Sequence, residues 1–355
     1  MPVNGRLRSW FDDSPRAVAG WPCGQPPLDV EGADFLGRTF PERAFPPVAG
    51  TAAAFAAACR RGYGVMSRSR VAITGLARNV ADVLPLTIGR VEDLGSLFAD
   101  YRVFIYENDS TDDTRQLLGR WARANRRVDV TSEDLSDPVH PTSRCLARAE
   151  RMACYRRSCQ ERVLARCGHF DFTILIDLDI LGGFSLDGIA SSFGQPGWDF
   201  VGANGLVFRR HALAFNHVRQ YDTWALRFDA DLAPLPTSSA GGIVFGRGEP
   251  LVPVTSCFGG VGIYRMEAFR AGRYATDDVE HATFHRELIV RGFPRLRLNP
   301  SQIVVYGRRH RVGDRFAEAL LAAVAAAGGT RRRTLFPPGA RPRFAEAASD
   351  RRAAT

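Results

Sequence analysis

Short apolar runs alternate with segments of helical periodicity between residues 70 and 182 of this chain. A short apolar run between turn signals is typical of a buried strand, whereas apolar residues every three or four positions are typical of a helix. Strands that alternate with helices predict an α/β fold with a mostly parallel central sheet, flanked by helices. The predicted strands are 71–76, 101–106, 127–130 and 172–176, and the helices between them are 81–98, a segment ending at Trp121, and 142–166.

The pattern loosens after Gly182 into short strands of mixed direction and loops rich in glycine and proline. A further helix near 279–291 and a strand at 303–306 are the clearest elements there. We therefore expect three parts: a Pro/Gly-rich extension with a short Ala-rich helix at 1–65, a main domain at 66–312 whose halves are 66–182 and 183–312, and at 313–355 a helix followed by a basic tail that we expect to be disordered.

The basic residues are all arginine: the 47 cationic side chains include no lysine. Mechanisms that need a lysine amine, such as a Schiff base, a pyridoxal phosphate site or a Walker phosphate loop, are therefore excluded. The net charge is +9, but 11 arginines and only 4 acidic residues lie in 308–355. The rest of the chain is nearly neutral, which argues against a nucleic-acid partner. The tail itself is either solvated or makes a peripheral contact with anionic lipid or polymer.

The cysteines and the apolar segments bear on the compartment. Seven cysteines without a C-x-x-C pair are typical of reduced intracellular thiols rather than of a disulfide framework or a zinc site. No apolar run approaches the length of a membrane span, and the first residues do not resemble a signal peptide. We expect a cytoplasmic protein, with peripheral attachment at the inner membrane face as the role of the basic tail.

Two acidic clusters follow predicted strands, where ligands of parallel sheets bind. Asp177 and Asp179 come directly after the run 172–176, and two carboxylates spaced in this way can share a hard divalent cation such as Mn²⁺ or Mg²⁺. Helix capping or a buried ion pair is the alternative. In the other cluster, Ser110 and Asp113 have the spacing of a capping box, which predicts a helix starting just after the strand.

Three further features lie downstream of the strands. Gly259 and Gly260 form a glycine-rich turn, which permits close approach of the backbone to a ligand. Asp278 and Glu280 precede a helix, where a carboxylate can act as general base on an acceptor hydroxyl or can simply complement the helix dipole. His310 follows the last predicted strand and could reach a metal as a neutral imidazole, or lie exposed among arginines.

The order of these pieces resembles the GT-A fold glycosyltransferases over roughly residues 70 to 312. The segments 107–110, 221–227 and 256–257 most resemble the fungal capsule-associated alpha-1,3-mannosyltransferases and their bacterial relatives. The resemblance implies a Rossmann-like sheet in which 66–182 binds a nucleotide sugar and a smaller mixed subregion in 183–312 receives the acceptor. The residues carrying it are Arg78, Asn79, Glu107, Asp109, Asp177, Asp179, Gly259, Gly260, Asp278, Glu280, His281 and His310.

The resemblance assigns roles residue by residue. Arg78, Asn79, Glu107, Asp109 and Asp177 would bind the donor. A divalent metal would lie on Asp177, Asp179 and His310. Glu280 matches the acidic position that faces the acceptor, and the acceptor-side residues would be Gly259, Gly260, Trp224 and His281.

The sequence departs from the family at His281, because the commoner pattern has an aspartate after the glutamate. The base could therefore be Glu280, Asp278 or neither. On the predicted helix 142–166, Arg144, Arg148 and Arg151 lie on one face. If that face points at the donor, Arg151 would hold the diphosphate; the alternative is a solvated outer face, since Arg156 and other arginines spread around the helix.

The function expected from the sequence is metal-dependent transfer of a hexose such as mannose. The donor would be a GDP- or UDP-sugar, and the acceptor a hydroxyl of a glycan or glycolipid in polysaccharide biosynthesis. Two alternatives remain open. A nucleotidyltransferase shares the sheet architecture but needs a glycine-rich loop with lysine after the first strand. A glycan- or anion-binding module without turnover would depend on the arginine tail.

Overall fold

The computed structural model describes residues 34–138, 145–211, 215–229, 233 and 243–306. Most of the predicted N-terminal extension, the tail and His310 lie outside these residues. Within the described part, the predicted strands and helices are present with adjusted bounds. None of the helices in the described part is both long enough and apolar enough to cross a lipid bilayer.

The first half of the sheet is parallel, in the order β3, β2, β1, β4. β1, β2 and β4 are buried on both faces over most of their length, as expected for a sheet covered on both sides, whereas the edge strand β3 is only partly buried. The strands are β1 (Arg70–Ala77), β2 (Asp100–Asn108), β3 (Val128–Glu133) and β4 (Phe172–Ile176), and the helices are α1 (Ala52–Met66), α2 (Leu84–Gly95), α3 (Thr114–Ala124) and α4 (Leu146–Cys167).

The second half continues the same sheet with mixed strand directions. β8 is antiparallel to β4 and β5, whereas β9 is parallel to β5. The predicted α/β class, with a parallel part and a mixed part, is therefore confirmed. The elements are α5 (Leu186–Phe193), β5 (Phe200–His211), β6 (Phe215–Gln220), β7 (Val252–Pro253), β8 (Val261–Arg265), α6 (Met266–Ala271), α7 (Glu280–Val290) and β9 (Leu296–Val305).

Apolar side chains fill a layer on each face of the sheet. Ile73 and Val103 point toward α2 and α5, and the neighbouring residues Ala72 and Phe104 point toward α4 and α7. Burial of one such side chain contributes about 1.5–3 kcal/mol to stability. The two layers hold the strands in register, so the loops at the carboxyl ends of β1, β2 and β4 meet at one edge.

The predicted capping box at the start of α3 is wrong. The helix begins at Thr114, and the side chain of its N-cap residue, Asp113, makes no capping hydrogen bond. Ser110 instead accepts a hydrogen bond at 3.1 Å from the backbone N–H of Asn79, in the loop after β1. The loop after β2 therefore uses its polar side chains to bind the neighbouring loop, and this tertiary contact outweighs the local capping pattern.

Arg90, on α2, clamps the N-terminal segment against the loop after β4. Its side chain is only 4% exposed, and the guanidinium fills the space beside Gly183. An arginine fork can satisfy several carbonyl groups at once. The guanidinium donates to the carbonyl oxygens of Phe35, Gly37, Arg38, Ile180 and Leu181 at distances from 2.6 to 3.4 Å.

Replacing Arg90 with methionine should lower the free energy of unfolding by about 3 kcal/mol or more, because several buried carbonyl groups lose their donor. Urea unfolding followed by circular dichroism measures this change. Arg123→Met is the matched control, since Arg123 is an exposed residue of α3, and it should change stability by less than about 0.5 kcal/mol. Equal stabilities of the two variants would contradict the role of the clamp.

Candidate active site

Asp177 leaves β4 directly beside the glycine turn that precedes β8. Its backbone N–H donates to the carbonyl oxygen of Gly260 at 2.9 Å. Gly259 and Gly260 have positive φ angles of 67° and 91°, a conformation that favours glycine. A side chain on Gly259 would meet the carbonyl oxygen of Ala203 at 2.2 Å. The glycine at position 259 is therefore required for the close approach of this turn to strand β5, and contact of the turn with a ligand stays a prediction.

Arg156 joins the carboxylates of Asp177 and Glu280. Its Nη2 lies 3.4 Å from Oδ1 of Asp177, and its Nε lies 3.2 Å from Oε1 of Glu280. The guanidinium is 5% exposed and also lies over the ring of Phe258 at 5.1 Å. The two acidic positions predicted from separate parts of the sequence are therefore brought together around one buried arginine.

Two further carboxylates, Asp179 and Asp222, lie near Asp177 and complete the cluster. Asp222 follows β6, and its side chain accepts hydrogen bonds from the backbone N–H groups of Ala225 and Gly259 at 3.3 and 3.4 Å. Burial raises the pKa of Asp222. We call Asp177, Asp179, Asp222 and Glu280 the carboxylate cluster.

Electrostatic crowding in the carboxylate cluster is strongest at Asp177. Burial, with a smaller contribution from the neighbouring carboxylates of Asp179, Asp222 and Glu280, raises the pKa of Asp177 to about 8 against the opposing effect of Arg156. The crowding of carboxylates around Asp177 opposes its ionisation, and an added cation would relieve this repulsion.

Two stacked tyrosines form one wall of the carboxylate cluster. The Tyr306 hydroxyl donates a hydrogen bond to Oδ2 of Asp179. The rings of Tyr221 and Tyr306 stack with centroids 3.8 Å apart and planes inclined by 12°. Burial raises the pKa of both phenols, and nearby aspartates add to the effect. Both tyrosines therefore remain neutral at physiological pH, and Tyr306 fixes the orientation of Asp179.

His281 lies beside Glu280 on the first turn of α7. Its ring stacks on Phe258 at 3.9 Å between centroids and is 3% exposed. Nε2 is 3.7 Å from Oε1 of Glu280, and within the described part of the chain neither ring nitrogen has a hydrogen-bond partner. Burial, Arg156 and His285 lower the pKa of His281 well below its usual value, so its imidazole is neutral.

The oxygen chemistry of the carboxylate cluster fits a hard divalent cation. Such a cation is often held by only one or two carboxylates, with phosphate oxygens and water as its other ligands. Asp177 and Asp179 supply this minimal set, and the mutual repulsion of the carboxylates at Asp177 favours a cation. Among residues 34–138, 145–211, 215–229, 233 and 243–306, no three acidic, histidine or cysteine side chains already form a complete ligand set.

Asp278 forms an ion pair with Arg227 that engages both of its carboxylate oxygens. Both of its carboxylate oxygens accept from the fully buried guanidinium of Arg227, at 2.9 and 3.0 Å. Nε of Arg227 also donates to the carbonyl oxygen of Trp224 at 3.1 Å. Asp278 therefore anchors the loop that carries Asp222 and Trp224 to the start of α7.

Four predicted donor-side residues lie together after β1 and β2, although they mainly bind one another's loops. Asn79 Oδ1 accepts from the N–H of Thr111 at 2.7 Å. Arg78 donates to the carbonyl oxygens of Asp137 and Pro138. The Glu107 carboxylate accepts from the backbone N–H of Ser110 and from the side chains of Arg115 and Ser132. The Asp109 carboxylate accepts from the backbone N–H groups of Leu135, Ser136 and Asp137.

These contacts make one polar loop cluster at the edge of the sheet. Glu107 is fully buried, whereas Asn79 and Asp109 adopt left-handed backbone conformations with φ of 52°. Glu107 and Asp109 would therefore influence a ligand largely by positioning the loops to which they are hydrogen-bonded.

The arginines of α4 divide between its two sides. Arg151 is half-buried, and within the described residues its Nε has no hydrogen-bond partner. Arg148 lies 6.0 Å from the ring of Trp224. Arg144 lies outside the described residues. Arg156, which the sequence grouped with the solvated arginines, instead faces the carboxylate cluster.

A sequence signal for Arg156 existed. It lies on the buried stripe of α4 with Ala149, Ala153, Gln160 and Val163, at spacings of three and four residues. An arginine on an otherwise small or apolar face indicates a buried charge partner. Asp222 had no comparable periodic signal, because it lies in the turn after β6, and only its place in the segment 221–227 marked it.

Comparisons with known proteins give fold-level similarity alone. No protein family model and no curated protein matches the chain. Among solved structures, a mannosyltransferase, PcManGT, from Pyrobaculum calidifontis in complex with GDP-Man and Mn²⁺ is 15% identical, with a TM-score of 0.43, over 79% of this chain and 74% of that one.

Two other solved structures have similar values. TarS 1–349 of S. aureus in complex with UDP-GlcNAc is 11% identical over 68% of this chain and 59% of that one, with a TM-score of 0.41. Glucosyl-3-phosphoglycerate synthase from Mycobacterium tuberculosis in complex with UDP is 16% identical over 75% and 82%, with a TM-score of 0.35. Similarity at this level assigns no family to the chain.

The buried histidines predict loss of stability in acid. Burial lowers the pKa of His285 to about 3, so protonation below an unfolded-state pKa of about 6.5 favours the unfolded chain. Stability is complete above about pH 6.5 and falls as pH decreases toward 3, by up to about 1.4 kcal/mol per pH unit for this histidine.

Urea unfolding at a series of pH values tests this dependence. His285→Gln should reduce the slope by about one proton, whereas His169→Gln, at an exposed position, should retain the wild-type slope. The same slope in wild type and His285→Gln would contradict a neutral buried His285.

Proposed function

We propose that this chain is a metal-dependent glycosyltransferase of the GT-A type that uses a nucleotide diphosphate sugar. The observation that carries the proposal is the carboxylate cluster at the carboxyl edge of the parallel strands, in which Arg156 bridges Asp177 and Glu280. Ligands of α/β sheets bind at this edge. Partly buried carboxylates crowded at this edge destabilise the fold and favour a bound cation and an anionic substrate.

The donor would lie over β1, β2 and β4. Asp177 and Asp179 would hold the metal, with His310 as the proposed third ligand. When bound, the metal would neutralise the charge of the diphosphate leaving group. Arg151 supports this placement because its Nε is sequestered without a partner in the described part of the chain, and a guanidinium fork suits diphosphate oxygens.

The nucleoside end would meet the polar loop cluster after β1 and β2, formed by Arg78, Asn79, Glu107 and Asp109. Glu107 and Asp109 order these loops through their own hydrogen bonds. We therefore propose that backbone groups of the ordered loops, as well as the side chains, contact the base and ribose.

The acceptor would approach from the side of α7. Glu280 is the better candidate for the general base or for binding the acceptor hydroxyl, since both oxygens of Asp278 are engaged by Arg227. His281 is buried beside Glu280 and neutral, so it would shape this side without carrying charge. Gly259, Gly260 and Trp224 would form the rest of the acceptor side.

The finer assignments rest on the sequence resemblance. It suggests a hexose such as mannose, a GDP- or UDP-linked donor and a glycan or glycolipid acceptor. Contact with a membrane surface would use the basic tail, which lies outside the described residues. Neither the nucleotidyltransferase nor the non-catalytic module is favoured by a specific contact of the described residues.

Thermal unfolding with nucleotides tests the proposal. We expect UDP- or GDP-sugars, among a set that includes CMP and dTDP compounds, to raise the melting temperature only when Mn²⁺ is present. At about one hundred times the dissociation constant, a ligand adds about 2.7 kcal/mol to stability. Asp179→Asn should abolish the metal-dependent shift, while Asp229→Asn, at an exposed position after β6, should retain it.

Metal-dependent hydrolysis of the stabilising donor then separates an enzyme from a binding module. A chain lacking residues 313–355 should retain hydrolysis if the sheet edge is the site, and a tail-driven binder would lose its ligand. A shift that is independent of metal, or one that survives in Asp179→Asn, would remove the metal from the proposal.

A further inference from the structure

We propose that Arg156 is a built-in counter-cation that limits how tightly the carboxylate cluster binds a divalent cation. This inference rests on the metal site of the proposed function and assigns a positioning and charge-balancing role to a residue outside the ligand set. Its basis is the bridge that Arg156 makes between Asp177 and Glu280, at 3.4 and 3.2 Å.

The bridge is fixed in place. Arg156 lies in the middle of a 22-residue helix, and its side chain is 5% exposed, so it cannot turn to solvent without moving α4. The ring of Phe258 covers it at 5.1 Å, and Phe258 is itself held by stacking on His281. A guanidinium does not lose its proton in proteins. The positive charge at this point is therefore permanent.

The charge of the cluster decides how it responds to a cation. Arg156 places one positive charge between two of the four carboxylates, those of Asp177 and Glu280. A divalent ion on Asp177 would share that carboxylate with Arg156 and be repelled by it. At short range and low solvent exposure, repulsion between a divalent ion and one unit charge changes affinity by about tenfold or more.

His281, the other nitrogen-bearing side chain beside Glu280, does not add to the positive charge of Arg156. His281 lies against Glu280 at 3.7 Å, yet its imidazole is uncharged and has no hydrogen-bond partner in the described part of the chain. It therefore adds no positive charge, and Arg156 is the cation in direct contact with both Asp177 and Glu280. Substitutions at Arg156 and Glu280 should then change affinity in an order set by net charge.

Four proteins test this order with Mn²⁺ alone, by titration calorimetry or by the electron paramagnetic resonance signal of free Mn²⁺. Arg156→Met makes the cluster more negative by one charge and should bind Mn²⁺ about tenfold more tightly than wild type. Glu280→Gln makes it less negative by one charge and should bind more weakly by a similar factor. The double variant has the wild-type net charge, so its affinity should lie close to that of wild type.

Arg247→Met is the matched control. Arg247 is also buried and paired with a carboxylate, Glu42, at 2.6 Å, but it packs near the start of α5 rather than at the cluster. Its replacement should leave Mn²⁺ affinity unchanged. A purely structural arginine at position 156 would instead give weaker binding in Arg156→Met, because its loss would disorder the ligands.

Each outcome bears on the inference. Folded Arg156→Met with an affinity equal to or below that of wild type overturns it. If Arg156→Met does not fold, the comparison of Glu280→Gln with the double variant decides, and equal affinities overturn it. If neither wild type nor any variant binds Mn²⁺, the metal site of the proposed function fails together with this inference. If wild type binds and the order is absent, only this inference fails.

Discussion

Repulsion among the carboxylates of the cluster is the constraint around which this edge of the sheet is built. Like charges in a poorly solvated recess destabilise the folded chain unless something holds them and offsets their charge. Asp177 is held by its backbone hydrogen bond to Gly260, Asp179 by Tyr306, and Glu280 by Arg156. These contacts come from the turn before β8, from the residue that follows β9 and from α4, so three separate parts of the chain restrain the cluster.

The rest of the structure supplies the stability that the cluster lacks. Two apolar layers cover the faces of the sheet, which has nine strands in the described part of the chain, and Arg90 fastens the N-terminal segment to the loop that follows Asp179. Buried ion pairs contribute little net stability, but removal of one partner is costly. The pair of Arg227 with Asp278 thus fixes the position of a loop rather than adding greatly to the free energy of folding.

The sequence was sufficient for the architecture and for part of the site. Alternating strand and helix patterns predicted the α/β class, because burial on both faces of a sheet leaves a direct signature in the spacing of apolar residues. Asp177 and Glu280 could be selected because each lies at the end of a regular element. The structure shows that Arg156 contacts both, which depends on how α4 packs against α7, more than one hundred residues away along the chain.

Other features depended on contacts that a local pattern cannot contain. Ser110 and Asp113 satisfy the spacing of a capping box, yet Ser110 binds the loop after β1. Asp222 enters the cluster because β6 turns back along β5, which no periodicity in its own segment indicates. Glu107 was selected as a ligand for a nucleoside, and its buried position among Ser110, Arg115 and Ser132 gives it a loop-ordering role as well.

Arginine and lysine would not be equivalent at position 156. A lysine amine in such a recess can lose its proton on burial, and its charge would then vary with the occupancy of the neighbouring site. A guanidinium keeps its charge whether or not a cation is nearby, and its planar fork reaches two carboxylates at once. The charge balance at Asp177 and Glu280 is therefore set by the fold, and only the charge brought by a ligand remains variable.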